Sequence, residues 1–144
     1  YQYKLRWLKA LHDWLDGELK KYPRLALLGD YNIAPEDRDV HDPAAWQGQI
    51  LCSAAERAAF QELIGLGLSD VFRKFEQTET TYSWWDYRMM GFRRIDHILL
   101  SPPLAAECTT CTIDKAPRKL ERPSDHAPVL AGIGACQEPP IEIN

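Results

Sequence analysis

The sequence predicts an α/β sandwich of the α+β type, in which one mixed sheet is covered by helices. Three observations predict it: the order helix, strand, helix and then several strands; a length of 144 residues; and an apolar content of 45%. This order of elements suits a sheet layer with helices packed on it. The length fits one domain, and the apolar content is enough for a buried core, which excludes a disordered chain.

The first part of the chain predicts two helices around a short strand. Leucines and tryptophans recur at helical spacing from Tyr3 to about Lys20, and a Tyr-Pro pair then ends the helix. The wholly apolar run Leu25 to Leu28 predicts a strand buried on both faces. A capping-box pattern, Ser53-Ala54-Ala55-Glu56, opens a second helix that ends near Gly65 or Gly67.

The remaining segments predict a long loop, further strands and a tail. Asp30 to Gln49 holds two prolines and several aspartates, and a loop of this length beside a motif is more often functional than accidental. The predicted strands are Thr80 to Trp84, Ile95 to Leu100, Glu107 to Ile113 and Ala127 to Ile133. Residues 1–136 are then one domain, and residues 137–144 are a loose tail.

The cysteines and the absence of targeting segments indicate a cytoplasmic protein. Cys108 and Cys111 form a Cys-x-x-Cys pair, but a metal site of this kind needs a second pair, which the sequence lacks. On a strand, a spacing of three directs the two sulfurs to opposite faces, so we interpret both as packing residues in a reducing compartment. The sequence has no signal-peptide pattern and no apolar stretch near the ~20 residues of a membrane span.

Three acidic motifs lie at the ends of predicted strands: Gly29-Asp30-Tyr31-Asn32, Arg94-Ile95-Asp96-His97 and Ser124-Asp125-His126. Carboxylates, an Asn and a His at strand ends suit a hard-metal site that cleaves phosphates, because oxygen ligands hold Mg²⁺ and the imidazole meets the phosphate. In extended geometry Asp30 and Asn32 face the same side, although Gly-Asp-x-Asn is also good turn composition. His97 points away from Asp96 and is predicted to be structural.

The charge pattern gives two opposed indications. A net charge of −4 argues against a nucleic-acid binder. Basic residues nevertheless cluster beside the acidic motifs: Arg88, Arg93 and Arg94 around the second, and Lys115, Arg118, Lys119 and Arg122 before the third. Basic loops beside an acidic pocket suit a phosphate substrate, whereas without the motifs they would be a solvated surface of mixed charge.

With these motifs, and with Ser83-Trp84-Trp85-Asp86-Tyr87-Arg88 between the first two, the chain resembles the exonuclease III family of DNA-repair nucleases, within the exonuclease–endonuclease–phosphatase superfamily. The resemblance covers roughly Tyr1 to Ile133. No segment resembles the family's N-terminal Asn, metal-binding Glu and catalytic Tyr. The resemblance therefore implies the C-terminal half of a four-layer α/β/β/α sandwich, which alone would expose a large apolar patch and need its missing half.

The resemblance implies an activity: hydrolysis of phosphodiesters at abasic sites and 3′ ends of double-stranded DNA in base excision repair. The cofactor would be Mg²⁺, with Mn²⁺ as the alternative, and the isolated chain would be inactive. Two other readings stay open. A phosphatase of the same superfamily shares the acidic motifs, although the Trp-Trp-Asp-Tyr-Arg segment favours the nuclease. A non-catalytic fragment, serving as an interaction module, is favoured by the missing Glu.

The resemblance also implies roles for single residues. Asp30 would handle a proton and, with Asp125, hold the metal, while Asn32 would orient the nucleophile or the phosphate. His126 would contact the scissile phosphate, and Asp96 would fix its tautomer and stabilise its imidazolium. The implied DNA-binding residues are Trp84, Tyr87, Arg88, Phe92, Arg93, Lys115 and Arg118, whose aromatic members suit a sugar pocket or a base step.

The chain departs from the family pattern in one place. Family members carry a longer stretch, commonly with Asn-Arg-Gly, between the tryptophan loop and Arg-Ile-Asp. Here Met89-Met90-Gly91-Phe92-Arg93 runs directly into Arg94. In the family this stretch forms part of the DNA-inserting loop and the abasic-site pocket, so the motifs alone leave abasic-site recognition open.

Overall fold

The computed structural model describes residues 1–76, 78, 80–88 and 91–134. The helices are α1 (Gln2–Lys21), α2 (Pro43–Trp46), α3 (Ala54–Gly65), α4 (Val71–Phe75) and α5 (Pro102–Glu107), with 3₁₀ helices at Asp37–Asp39 and Ala116–Lys119. The strands are β1 (Ala26–Asp30), β2 (Ser69–Asp70), β3 (Trp84–Asp86), β4 (Gly91–Arg93), β5 (Asp96–Leu100), β6 (Cys108–Ile113) and β7 (Val129–Ile133). The predicted tail, 137–144, lies outside the described residues.

The two long helices form as their patterns predict. α1 buries Leu8 and Leu15 in a core shared with α3. At the start of α3, the Ser53 hydroxyl accepts from the backbone N–H of Glu56 at 3.3 Å, and the Glu56 carboxylate accepts from the N–H of Ser53 at 3.2 Å. The predicted capping box is therefore confirmed. Gly67, at φ +99°, turns the chain after the helix.

Strand β5 is the centre of a three-stranded antiparallel sheet in the order β1-β5-β2. The pairing with β1 begins at Ala26 opposite Leu100 and ends at Asp30 opposite Asp96. Residues directly opposite in such a pair have Cβ atoms about 5 Å apart and share one face. The register therefore brings the first two acidic motifs side by side at one end of the sheet.

The helix-and-sheet class is as predicted, but the strands form three ladders instead of one mixed sheet. β3 pairs with β4 and β6 pairs with β7, and every pairing among the described strands is antiparallel. An isolated bridge between Trp84 and His126 joins the β3–β4 hairpin to the segment before β7. The elements that the sequence did not indicate are β2, β4, α2, α4, α5 and the two 3₁₀ helices, all too short to show a hydrophobic period. α2 and the 3₁₀ helix Asp37–Asp39 lie in the segment predicted as a long loop.

Strand β1 is buried on one face only, so the prediction of burial on both faces is wrong. Leu27 and Leu99 face the core under α1 and α3. On the opposite face, the β6–β7 hairpin covers Ile98, which is 9% exposed, but leaves its neighbour Leu28 66% exposed. Leu28 is thus an exposed apolar residue on this face, and the expected large apolar patch stays a prediction. Within the described part of the chain, no helix is both long enough and apolar enough to cross a membrane.

Cys108 and Cys111 pack as predicted but not on opposite faces. Both thiols are buried in the core under β6–β7. Cys108 pairs with Ile133 and Thr110 with Gly132, so the register shifts between them. This irregularity adds one residue to β6 and returns the second sulfur to the same face, which a strict alternation cannot anticipate.

A buried ionic network centred on Arg94 lies beneath the carboxylates, although the sequence analysis placed this arginine among the phosphate-facing residues. Arg94 is 1% exposed. Its Nε donates to Asp39 Oδ1 at 2.7 Å, and its Nη1 and Nη2 donate to the two oxygens of Asp70 at 3.1 and 2.7 Å. Arg73 adds a second cation on Asp39. The network ties the segment between β4 and β5 to the 3₁₀ helix Asp37–Asp39 and to β2.

His97 extends this network to the turn after β1. Its Nε2 donates to the carbonyl of Ile33 at 2.8 Å, and its Nδ1 accepts from Arg94 Nη1 at 3.0 Å. Burial, with the Arg94 charge next, lowers the pKa of His97 to about 4, so the imidazole is neutral at pH 7. The expected structural role is confirmed by these contacts.

Stability should therefore fall in acid through His97. Its pKa is lowered on folding, so the stabilisation is present above the ordinary pKa of about 6.5 and is lost as pH falls towards 4. Between pH 7.5 and 5 the loss attributable to His97 should be about 2 kcal/mol. Urea unfolding of the wild type and of His97→Gln at both pH values measures this loss. The free energy of unfolding should fall less in the variant than in the wild type between pH 7.5 and 5.

His12→Gln, which alters a histidine on the surface of α1, is the matched control. Its free energy of unfolding should fall between the two pH values by as much as that of the wild type. An equal fall in the wild type and in His97→Gln would show that another group causes the pH dependence.

Candidate active site

The sheet and one loop bring two carboxylates and an imidazole together. Asp30 and Asp96 end their strands side by side, and His126 arrives through its bridge with Trp84. One ligand atom of each of Asp30, Asp96 and His126 lies within 4.8 Å of the others. Asp30 and Asp96 also line a cavity of about 210 Å³ on the uncovered face of the sheet, together with Leu28, Ile98 and Pro128 among others.

The geometry of His126 selects its tautomer. Its Nδ1 lies 2.9 and 3.1 Å from the two oxygens of Asp96 and, facing a carboxylate, acts as the donor. Nε2 is then left for other partners, 3.9 Å from Asp30 Oδ2. Burial raises the pKa of Asp96, and the nearby Asp30 charge adds to the rise, against the hydrogen bonds from Ser83 and His126.

Ser83 is a site residue that the sequence analysis missed. It is completely buried and donates from Oγ to Asp96 Oδ2 at 2.7 Å. Ser83 Oγ also accepts from the backbone N–H groups of Ile95 and Asp96, at 3.0 and 3.1 Å. Ser83 therefore holds the carboxylate that holds His126. No local pattern marks it, because the β3–β4 hairpin brings it to Asp96.

The turn after β1 differs from the extended geometry expected of Asp30 and Asn32. Asp30 Oδ1 accepts from the backbone N–H of Asn32 at 2.8 Å, and Asn32 is left-handed, at φ +52°. The turn composition is therefore real, and the argument that alternation places both side chains on one side is wrong. Asn tolerates this conformation, and such residues are frequent at functional sites. Asn32 is exposed beside Asp30.

Asp125 lies outside the cluster of Asp30, Asp96 and His126, and its role as a metal ligand with Asp30 stays a prediction. Its Oδ2 accepts from Trp84 Nε1 at 3.1 Å, and its carbonyl accepts from the N–H of Trp85 at 2.9 Å. Adjacent residues of an extended segment point to opposite sides, so His126 faces Asp96 while Asp125 faces the tryptophans.

Most of the predicted DNA-binding residues lie on the surface around this site. A cavity of about 410 Å³ is lined by Trp84, Trp85, Asp86, Tyr87, Arg88 and Asp125. Lys115 is exposed at the start of the adjoining 3₁₀ helix, and Arg118 stacks on Trp85 and Tyr87. Phe92 is half-buried and its ring centroid lies 5.0 Å from that of His41.

Arg93 does not reach the surface, so its predicted contact with DNA is wrong for this structure. It is 1% exposed, and its guanidinium carbon lies 3.6 Å from the ring centroid of Trp46 and 5.3 Å from that of Trp84. On the short β4 strand it pairs with Trp84, and Trp46 of α2 covers it. The two indoles give the desolvated cation a cation–π environment.

Comparison with known families agrees with the motifs. The profile described as "Endonuclease/Exonuclease/phosphatase family" matches residues 1–126. Exodeoxyribonuclease III of Haemophilus influenzae is 39% identical in an alignment 140 positions long, which covers 89% of this chain and 52% of that protein. An exodeoxyribonuclease of Bacillus subtilis is 32% identical in an alignment 134 positions long, which covers 88% of this chain and 51% of that protein. The chain thus spans about half the length of these curated relatives.

Solved structures support the fold. A 3′–5′ exonuclease from Neisseria meningitidis superposes with a TM-score of 0.90 at 45% identity, over 93% of this chain and 54% of that one. A 3′ phosphatase from Neisseria bound to a product DNA hairpin superposes with a TM-score of 0.88 at 43% identity, over 93% of this chain and 54% of that one. An AP endonuclease from Archaeoglobus fulgidus superposes with a TM-score of 0.87 at 37% identity, over 94% of this chain and 55% of that one. The expected family resemblance and fold class are confirmed.

Removing the Ser83 hydroxyl should weaken the protein through the backbone as well as through Asp96. Ser83→Ala leaves the buried N–H groups of Ile95 and Asp96 without their acceptor, a change that should cost about 1–3 kcal/mol. The measurement is the free energy of unfolding in urea.

Ser124→Ala is the control: this exposed hydroxyl accepts a hydrogen bond from the N–H of His126, and its removal should cost roughly 0.5 kcal/mol or less. If Ser83→Ala were as mild as Ser124→Ala, Ser83 would not hold Asp96 in the way its contacts indicate.

Proposed function

The chain belongs to the endonuclease/exonuclease/phosphatase family, and from that premise we propose that it is the C-terminal half of a metal-dependent DNA nuclease of the exodeoxyribonuclease III type. The substrates are phosphodiesters of double-stranded DNA at abasic sites and 3′ ends. The observation that carries the proposal is the cluster that Asp30 and Asp96, at the ends of paired strands, form with His126. Relatives named as exodeoxyribonucleases and an AP endonuclease support the substrate class.

The donor set fits a hard divalent cation. Mg²⁺ is bound by one or two carboxylates and keeps several waters, and Asp30 and Asp96 supply carboxylates of this kind. We propose Asp30 as the ligand on this chain, with Mg²⁺ or Mn²⁺ as the ion and Asp125 as a neighbour of the site. His126 is engaged by Asp96 at Nδ1, which favours a role with the phosphate. When bound, the ion polarises a phosphoryl oxygen and lowers the pKa of coordinated water.

In the proposed reaction, the residues of this chain orient the phosphate and move protons. Protonated His126 would donate from Nε2 to a phosphate oxygen, while its Nδ1–H continues to donate to Asp96, whose carboxylate stabilises the imidazolium. Ser83 would keep Asp96 in place. Asp30 would take or give a proton at the attacking water or leaving oxygen, and Asn32, exposed beside it, would orient the nucleophile.

The proposed activity requires the complementary half of the fold. The chain spans about half of its relatives, and Leu28 is 66% exposed on the face that adjoins Asp30 and Asp96. A second sheet packed there would cover this apolar surface and complete the cluster with further ligands. The DNA-facing surface would run from Lys115 to the cavity at Trp84, Tyr87 and Arg88.

A second candidate is removal of phosphate from 3′ ends of DNA. It is favoured by one observation: a structure 43% identical to this chain is described as a 3′ phosphatase bound to a product DNA hairpin. The same cluster serves both reactions, because each cleaves a P–O bond of a phosphate ester. Assays on abasic DNA and on 3′-phosphorylated DNA under the same conditions separate the two candidates.

The isolated chain should show little or no Mg²⁺-dependent cleavage of abasic double-stranded DNA. Mg²⁺ is held by few protein ligands, so losing one carboxylate from the other half removes much of its affinity. The measurement compares the chain alone with the chain joined to the N-terminal half of a family member, at the same Mg²⁺ concentration. Robust cleavage by the purified monomer would contradict the proposed need for the second half.

His126 and Asp96 should act as one unit in the joined protein. His126→Ala should lower turnover by roughly 10²–10⁴, the scale of losing a positioned acid–base or charge-stabilising group. Asp96→Ala acts on the same step, so the double variant should lose much less than the product of the single losses. His12→Ala is the control, because His12 lies on α1 outside the cluster and bonds to Asp13. Losses that multiply fully would mean that the two residues act independently.

A further inference from the structure

We propose that Arg118 is a positioning residue that holds the rings of Trp85 and Tyr87 and fastens them to the His126 segment. The aromatic loop is defined as residues 84–88 and the histidine loop as residues 124–126. Held in this way, the two loops form one rigid surface beside the cluster. The inference rests on the proposed function for what this surface binds, but its structural part stands on this chain alone.

One guanidinium joins the two loops. The Arg118 guanidinium carbon lies 4.6 Å from the ring centroid of Trp85 and 4.9 Å from that of Tyr87. Its Nη2 donates to the Tyr87 hydroxyl, and its Nη1 donates to the carbonyl of Ser124, two residues before His126. Stacking and two directed donors together need a planar fork, which lysine cannot supply.

Hydrogen bonds hold the backbone of the aromatic loop, but these bonds do not fix the rings of Trp85 and Tyr87. Trp85 N–H donates to the Asp125 carbonyl at 2.9 Å, and Ala127 N–H donates to the Ser83 carbonyl at 2.8 Å. Tyr87 is 59% exposed, so core packing does not fix its ring. The contacts from Arg118 supply the missing constraint on the side chains.

The surroundings favour this role over direct contact with phosphate. Arg118 is half-buried and directs donors at protein atoms, whereas Lys115 and Lys119 are exposed on the same turn. Asp86 and Asp125 line the cavity at the aromatic loop against one cation, Arg88, so the charge of its lining does not favour a phosphate there. Trp85 and Tyr87 instead offer π-faces, on which a nucleobase stacks without sequence preference. The surface therefore suits an unstacked base near the cleaved bond.

The structural part is tested on the chain itself, labelled with 5-fluorotryptophan. The ¹⁹F signal of Trp85, assigned by its loss in Trp85→Phe, should shift in Arg118→Lys and in Arg118→Gln by similar amounts. Lys119→Gln removes an exposed charge one residue away and should leave this signal unchanged. A Trp85 signal that is the same in Arg118→Lys as in the wild type overturns the proposal.

The functional part is tested by binding of a duplex with an unpaired 3′ end, in the protein joined to its complementary half, over a series of salt concentrations. Both Arg118 variants should bind roughly 3- to 30-fold more weakly, the range of one or two cation–π contacts, with the salt dependence unchanged. A phosphate contact gives a different pattern: Arg118→Lys binds as the wild type, and Arg118→Gln lowers the salt slope by about 0.9.

That second pattern overturns the positioning role. If the wild type does not bind this DNA at all, the proposed function fails, while the ¹⁹F comparison still decides whether Arg118 holds the rings.

Discussion

The register between β1 and β5 is the constraint on which the candidate site depends. Asp30 lies opposite Asp96 because Ala26 lies opposite Leu100 at the other end of the ladder. Slipping one strand by a single residue would exchange its two faces and bring Leu28 to the helix core in place of Leu27. The apolar packing of this ladder therefore also sets the distance between two carboxylates. Their mutual repulsion is tolerated at the open end of the sheet, because solvent reaches Asp30 and His126 donates a hydrogen bond to Asp96.

The ionic network under the sheet performs the complementary task of holding the loops. Replacing a buried ion pair by apolar residues is often neutral, but removing one partner is costly, so such a network is better read as fixing an arrangement than as adding stability. Here Arg94 is shared by Asp39 and Asp70, and His97 passes the constraint to Ile33, one residue beyond Asn32. The hydrogen bond from His97 to Ile33 thus holds the turn in which Asn32 adopts its left-handed conformation.

The sequence was sufficient for features encoded locally and insufficient for those set by contacts across the fold. Helical spacing and a capping box predicted α1 and α3, whereas the family resemblance, and not the motif spacing, implied the hydrogen bond between His126 and Asp96. An irregularity in β6 reversed the expected face of Cys111. The burial of Arg93 depends on Trp46, far away in sequence, and the role of Ser83 depends on a hairpin. Family resemblance supplied the expected roles, but it could not show that Asp125 is held by Trp84.

The position of the uncovered face links assembly to chemistry. Leu28 lies two residues from Asp30, and both line the same cavity, so a partner layer that buried Leu28 would also remove water from the carboxylates. Desolvation strengthens electrostatic interactions, including the pair of His126 with Asp96 and the attraction of Asp30 for a cation. It also disfavours two bare carboxylates side by side, which only a bound cation or proton relieves. Docking of a second layer would thus raise the affinity of the two carboxylates for a cation in the same step that completes the site.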